Sequence, residues 1–168
     1  MAAVQTIMTY RSLFFLTLFL TVGFNPVLAC SCLWRGDFVE YAEQTEGVIQ
    51  ARIISYGDPL SHGETLYDSM VVKVVAVLRG SFKHKSLKLL GDPGHLCREY
   101  VDSRAFVIGK EYLIAIHGGE AEQPFGGCGE AWLALNDGIA EGQKLTESGQ
   151  QRYTIPMSEL LTKIQRKD

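Results

Sequence analysis

Four cysteines, unevenly placed along a 168-residue chain, constrain its fold more than any other feature. Cys30 and Cys32 form a Cys-x-Cys pair, whereas Cys97 and Cys128 lie far along the chain. A bridge from Cys30 to Cys32 would close a tight, strained ring. An even cysteine count in a small exported domain therefore predicts two long-range disulfides, in either of two pairings. Each would close a loop of roughly 65 to 100 residues and contribute about 4 kcal/mol in the chain-entropy model.

A zinc ion held by all four thiolates is the alternative use of these cysteines. Structural zinc sites usually use pairs spaced Cys-x2–4-Cys, and here only one close pair exists, with a single intervening residue. The four histidines show no ligand spacing, and we expect each to be a solvated surface residue: His62, His84, His95 and His117. We therefore predict no metal or cofactor of the chain's own.

The segment before Cys30 has the parts of a secretory signal peptide. Arg11 is its only charged residue, residues 12–24 are apolar and include "LFFLTLFL", and Val-Leu-Ala precedes Cys30. The apolar run is shorter than the roughly 20 residues that a transmembrane helix needs. We therefore expect cleavage after Ala29.

Cleavage at that position would leave residues 30–168 as one secreted or periplasmic domain, with Cys30 at its amino terminus. Two alternatives stay open. Residues 1–29 could remain as a membrane anchor, or Val-Leu-Ala-Cys could act as a bacterial lipobox, with lipid on Cys30 tethering the protein to a membrane.

Charge and motifs exclude several classes of function. Without the leader the chain has 15 basic and 19 acidic side chains, a net charge of about −4, so binding to nucleic acid through phosphate neutralisation is disfavoured. No catalytic triad order, phosphate-binding glycine loop or zinc-protease helix motif is present, so we do not expect an enzyme. The acidic residues are interpreted as a helix cap, Glu40, and otherwise as solvated surface.

Apolar patterning predicts five strands and two helices. Asp37 followed by Glu40 is a capping box and predicts a short helix over residues 36–44. A second helix, at about 155–166, is predicted from four apolar residues spaced i, i+3, i+4 and i+7: Met157, Leu160, Leu161 and Ile164. β-Branched and apolar runs predict strands over residues 47–57, 68–80, 86–92, 110–119 and 130–138. The pattern favours a mainly β, five-stranded Greek-key barrel of the OB type, with a β-sandwich as the alternative.

The same residues resemble a known family. The "CSC" start at Cys30, the helix after it, "GVIQARI", "PGHLC" and "GKEYLIAI" followed by a cysteine loop are similar to the amino-terminal, netrin-like domain of the tissue inhibitors of metalloproteinases. The resemblance covers most of residues 30–135. It implies an OB-fold barrel and the disulfides Cys30–Cys97 and Cys32–Cys128.

The resemblance also implies a function, inhibition of a zinc metalloproteinase. The free α-amino nitrogen and the carbonyl oxygen of Cys30 would chelate the catalytic zinc of the protease, which supplies the only metal. Ser31 would enter the specificity pocket beside the zinc. The remaining protease-binding residues are expected to be Cys32, Leu33, Gly94, His95, Leu96 and Cys97.

The sequence departs from that family in three ways. It lacks a further early cysteine and its partner, Trp34 and Arg35 replace a compact proline turn, and the tail after Gly142 is a short helical extension instead of a second domain. The resulting expectation is a monomeric, secreted inhibitor. The alternative is a netrin-like binding module without inhibitory activity, possibly a lipoprotein anchored through Cys30.

Overall fold

The computed structural model describes residues 33–146 and 149–165, which form ten strands and two helices. The helices are α1 (Phe38–Glu43) and α2 (Met157–Ile164). The strands are β1 (Gly47–Tyr56), β2 (Leu66–Tyr67), β3 (Ser69–Arg79), β4 (Ser86–Leu90), β5 (Val101–Asp102), β6 (Glu111–Ile116), β7 (Glu122–Pro124), β8 (Trp132–Asn136), β9 (Ile139–Thr146) and β10 (Gly149–Pro156).

Eight of these strands form one sheet, in the order β10-β9-β8-β6-β1-β3-β4-β7, and β2 pairs with β5 in a second. All neighbouring strands of the large sheet are antiparallel except β4 and β7, which run parallel. After β6 the chain crosses to the edge of the sheet, where β7 pairs with β4. It then returns to the other side of β6, where β8 pairs with β6.

The central strands are buried on both faces because their alternate side chains enter two separate cores. In β1, Ile49 and Ile53 point into a core with β3, β4 and Phe125, whereas Val48 points into a second core. Strand β6 divides its residues in the same way. This two-sided burial explains why β6 reads as a nearly unbroken apolar run instead of an alternating one.

The two helices cover the second core. Helix α1 begins at a capping box: the Asp37 side chain accepts from the backbone of Val39 and Glu40, and the Glu40 carboxylate accepts from the Asp37 N–H. This satisfies amide groups that the first helical turn leaves without partners. Helix α2 packs its buried Leu160 and Ile164 into the same core. Neither helix of the described ranges is long and apolar enough to cross a membrane.

The structure confirms a mainly β fold with two short helices. The five predicted strands correspond to β1, β3, β4, β6 and β8, and the closing helix predicted at about 155–166 spans residues 157–164. The strand count was too low. The tail after Gly142, predicted as only a helical extension, first completes the β9–β10 hairpin, and β7 lies between β6 and Cys128, where no strand was predicted.

Candidate functional site

Five of the eight predicted protease-binding residues lie in the described part of the chain. Leu33 is 86% exposed, the most exposed of the large apolar side chains described. Gly94, His95, Leu96 and Cys97 all lie at exposed positions in the connection between β4 and β5. Cys30, Ser31 and Cys32 lie outside the described residues, so the predicted zinc-chelating group and both disulfide pairings stay predictions.

A single carboxylate organises the connection that carries Cys97. Oδ1 of Asp92 accepts hydrogen bonds from the backbone N–H groups of Gly94 (2.6 Å), His95 (2.7 Å) and Leu96 (3.0 Å). Oδ2 accepts a fourth, from Arg98 (3.2 Å). Asp92 itself is only 5% exposed. We call residues 92–98 the Asp92 loop.

The electrostatics of Asp92 agree with this geometry. Burial alone would raise the pKa of its carboxyl group, because a charged group loses water. The four N–H groups, led by that of Leu96, stabilise the ionised form more strongly, so that the net result is a lowered pKa. The loop is therefore held by a carboxylate that is charged at neutral pH.

The Asp92 loop also contains two residues in left-handed backbone conformations. Gly94 has φ +113°, and Cys97 has φ +53°, which is uncommon for a residue with a side chain. The Asp92 N–H donates to the Glu99 carbonyl at 3.0 Å and closes the loop at its base. The backbone at Cys97 is thus fixed by neighbouring hydrogen bonds, and Cys97 is not a free thiol.

The segment that follows Cys32 lies against the second distant cysteine. The Arg35 N–H donates to the Cys128 carbonyl at 2.7 Å, and the Glu130 N–H donates to the Gly36 carbonyl at 3.2 Å. The Gln44 side-chain amide donates to the Arg35 carbonyl at 2.9 Å. Cys128 is also not a free thiol.

Glu99 connects the two cysteine-bearing loops. Its backbone N–H donates to the Phe125 carbonyl at 2.9 Å, and a Cβ built on Gly126 would lie 2.9 Å from the Glu99 Cβ, so a glycine is needed for this approach. Burial raises the pKa of the Glu99 carboxyl group, and a hydrogen bond from the Trp132 side chain partly opposes that rise. The neighbourhoods of Cys97 and Cys128 are therefore packed together.

A tyrosine–histidine pair lies close to the same two loops. The Tyr41 hydroxyl is 2.9 Å from Nε2 of His117, and the rings meet edge to face. Burial lowers the pKa of His117, and the positive charge of Arg35 lowers it further. The neutral imidazole is thereby favoured.

Glu130 is a buried acid that the sequence reasoning missed, because it was interpreted as solvated surface. It is 8% exposed, and Oε2 accepts from the Phe38 N–H (2.9 Å) and from the Tyr153 hydroxyl (2.5 Å). Oε1 accepts from the Gln143 N–H. This carboxylate therefore joins the start of α1 to both strands of the terminal hairpin.

His62, His84 and His95 lie at exposed positions, as expected, whereas His117 has an exposed edge but is partly covered by its contact with Tyr41. Residues 33–146 and 149–165 hold no group of three or more His, Cys, Asp or Glu arranged to bind a metal ion. Two thiols of the alternative four-cysteine zinc site lie outside these ranges.

A cavity with a volume of about 690 Å³ lies beside these loops. It is lined by Trp34, by Glu99 and by residues of β8, β9 and β10. Both tryptophans of the chain, Trp34 and Trp132, line it, and we call it the tryptophan cavity.

Comparisons with protein-family models, with curated proteins and with solved structures found no match for this chain.

Proposed function

We propose that this protein is an exported inhibitor of zinc metalloproteinases that acts through the α-amino nitrogen and carbonyl oxygen of Cys30. The observation that carries the proposal is the fixed geometry at both predicted attachment points of the amino terminus. The Asp92 loop holds the backbone at Cys97, and the Arg35–Cys128 hydrogen bond brings the chain after Cys32 to the second point.

Chain length is compatible with the disulfide pairing that the proposal needs. Arg35 lies three positions after Cys32, and a chain spans at most about 3.5 Å per residue, or about 10 Å in all. Arg35 contacts Cys128, so Cys32 has the reach for the Cys32–Cys128 bridge that the family resemblance implies, together with Cys30–Cys97. Neither Cys97 nor Cys128 is a free thiol, as this pairing requires.

The sheet topology supports an OB-type barrel as the scaffold. Strands β1, β3 and β4 form an antiparallel meander, and β4 continues into a parallel pairing with β7. On the other side, β1 pairs with β6 and β6 with β8. Because β7 and β8 follow one another along the chain, we infer that together they act as the fifth strand of a closed Greek-key barrel, with the β9–β10 hairpin as an extension.

The proposed chemistry needs a deprotonated, unblocked amine. An α-amino group has an unperturbed pKa near 7.7–8.0, so losing its proton to bind zinc costs little at neutral pH. Nitrogen and oxygen from one residue would occupy the position that a catalytic zinc ion keeps open for water. A loop fixed before binding reduces the entropy lost on association, and the Asp92 hydrogen bonds provide that order.

The surrounding surface has apolar side chains suited to a protease groove. Leu33 is 86% exposed and Leu96 is 43% exposed, and each lies within a segment that the proposal places against the partner. Buried apolar anchors contribute much of the affinity in protein interfaces, so these two leucines are expected to be covered in the complex.

The test is a comparison of three forms of the exported protein against a panel of zinc metalloproteinases. Intact mass first establishes that the wild-type chain begins at Cys30 with a free amine. One variant carries an extra alanine before Cys30, and the matched control carries an extra alanine after Asp168. We expect inhibition by wild type and control, and at least a hundredfold loss with the amino-terminal alanine.

Equal unfolding midpoints for the three forms would show that the loss is not one of folding. Unchanged inhibition by the amino-terminal variant would overturn the chelation mechanism. A fatty-acyl group on Cys30, or a wild-type protein that starts at Cys30 and inhibits no member of the panel, would favour a netrin-like binding module instead.

A further inference from the structure

The tryptophan cavity lies over one face of a four-stranded part of the sheet. Along this face, Tyr112 of β6 stands opposite Ala134 of β8, Ala134 opposite Glu141 of β9, and Glu141 opposite Thr154 of β10. Directly opposed residues in antiparallel strands have Cβ atoms about 5 Å apart. All four line the cavity, so its floor is a continuous row of side chains from neighbouring strands.

The next row along the hairpin consists of long polar side chains. Gln143 stands opposite Arg152, and both line the cavity. Gln150, two residues before Arg152 on the same side of β10, lines it as well. Amide and guanidinium groups are flat and present two hydrogen-bonding atoms side by side. They can therefore make paired hydrogen bonds to two adjacent hydroxyl groups of one ligand.

Two aromatic side chains, those of Trp34 and Trp132, line the same cavity. Trp132 is held in place, since its side chain hydrogen-bonds to Glu99 and its ring packs edge to face against Phe106 at a centroid distance of 4.6 Å. Trp34 is 41% exposed, and the residue after it is fixed by the hydrogen bond to Cys128. A fixed indole offers a flat apolar surface on which the C–H face of a sugar ring can stack.

The charges around the cavity select among ligand classes. Four carboxylates, including Glu99 and Glu141, and three cationic side chains, including Arg152, line the same space. A polyanion would face the carboxylates, and a polycation would face the cationic groups. A hydrocarbon ligand would remove water from these charges without replacing their hydrogen bonds, which is costly. A neutral ligand rich in hydroxyl groups meets none of these penalties.

We propose that the tryptophan cavity binds a neutral oligosaccharide of two or three sugar units. Its volume of about 690 Å³ falls in the range of about 300–1,000 Å³ typical of small-ligand sites. Sugar rings stack on Trp34 and Trp132, while Gln143, Gln150 and Arg152 bond to their hydroxyl groups. This proposal does not depend on protease inhibition.

The chain provides its own reporter for this binding. Trp34 and Trp132 are the only tryptophans, and both line the cavity, so selectively excited tryptophan emission reports on this site. The exported protein is titrated with the neutral trisaccharides maltotriose, cellotriose and N,N′,N″-triacetylchitotriose, with trilysine and inorganic phosphate as charged probes. We expect a saturable change in emission with at least one trisaccharide and none with the charged probes.

Two neighbouring glutamines provide a matched pair of variants. Gln150 lines the cavity, whereas Gln151 is exposed on the same strand and does not. We expect Gln150→Ala to raise the Kd about tenfold, the effect of losing about 1.4 kcal/mol, and Gln151→Ala to change it less than twofold. Arg152→Ala is a second test in the cavity.

No saturable response to any of the three trisaccharides would overturn the proposal. Equal effects of Gln150→Ala and Gln151→Ala would place any binding elsewhere and would overturn it as well. A response to trilysine or phosphate alone would assign the cavity to a charged ligand. Inhibition assays on the same variants separate this site from the proposed inhibitory terminus, because Gln150→Ala is expected to leave inhibition unchanged.

Discussion

The backbone nitrogen of His95 lies 2.7 Å from Oδ1 of Asp92, and the same oxygen accepts from the residues on either side of His95. One carboxylate thus accepts hydrogen bonds from backbone N–H groups of this loop that would otherwise bond to water or to a neighbouring strand. Because the loop carries Cys97, the order of the predicted protease-binding segment depends on a buried residue outside that segment.

Replacing Asp92 is expected to loosen this loop. Asp92→Ala removes the acceptor for four backbone N–H groups and should lower the free energy of unfolding by about 1–3 kcal/mol, measured by denaturant titration. Asp92→Asn keeps one acceptor oxygen and should cost less. Asp137→Asn, at an exposed turn, is the control and should stay within about 0.5 kcal/mol. If Asp92→Ala matched this control, the carboxylate would not be what orders the loop.

Stability should fall in acid because of Asp102. Its pKa is lowered from an ordinary value of 3.8 to about 2, chiefly by a side-chain hydrogen bond from Arg104. A carboxyl group with a lowered folded pKa contributes its full stabilisation above 3.8 and loses it as the pH falls through about 2. We therefore expect the free energy of unfolding to decline across this interval. The decline should be weaker at high salt, because Arg104 is solvent-exposed.

The titration of the Asp102 carboxyl carbon, followed by NMR, tests the cause. Arg104→Gln should move its midpoint up towards 3.8, whereas Lys83→Gln, in the exposed connection between β3 and β4, should leave it unchanged. A wild-type midpoint already near 3.8 would show that the ion pair does not form in solution.

The sequence contains clear signals for the parts of the fold that depend on local patterning. Asp37 and Glu40 form the predicted capping box, and β-branched runs between glycines mark β1 and β3. Hairpin β9–β10 has no such signal, because Gln143, Gln150 and Gln151 break any alternation of apolar and polar residues. It forms because β9 pairs with β8 and because Ala140 and Ile155 enter the second core, both of which are tertiary effects.

The candidate site shows the same division. Nothing in the sequence indicates that Asp92 folds back on the segment that carries Cys97, because that bond pattern depends on left-handed residues at Gly94 and Cys97. Glu130 was misjudged for a similar reason: its donors come from residues 38, 143 and 153, far away in the chain.

A double-mutant cycle should show that Glu130 and Tyr153 act together. Tyr153→Phe removes a donor to a buried carboxylate and should lower the free energy of unfolding by about 1–3 kcal/mol. Glu130→Gln should also destabilise the protein. The double variant should lose about 0.5–3 kcal/mol less stability than the sum of the two single losses. Tyr100→Phe, at a side chain that is 43% exposed, is the control. Strictly additive losses would mean that the hydroxyl and the carboxylate do not interact.

Two glycines with similar backbones should respond very differently to alanine. Gly80 has φ +76° and Gly109 has φ +85°, so an alanine at either pays the left-handed penalty of about 1–2 kcal/mol. At Gly80 the new Cβ would also lie 2.2 Å from the Glu46 carbonyl oxygen, a backbone atom that cannot rotate away, whereas nothing lies within 4 Å at Gly109. Gly80→Ala must therefore separate the end of β3 from the start of β1, and we expect it to cost at least about 2 kcal/mol more than Gly109→Ala in denaturant unfolding. Equal costs at the two positions would show that the approach of these strands is looser than described, and that backbone angle alone determines both losses.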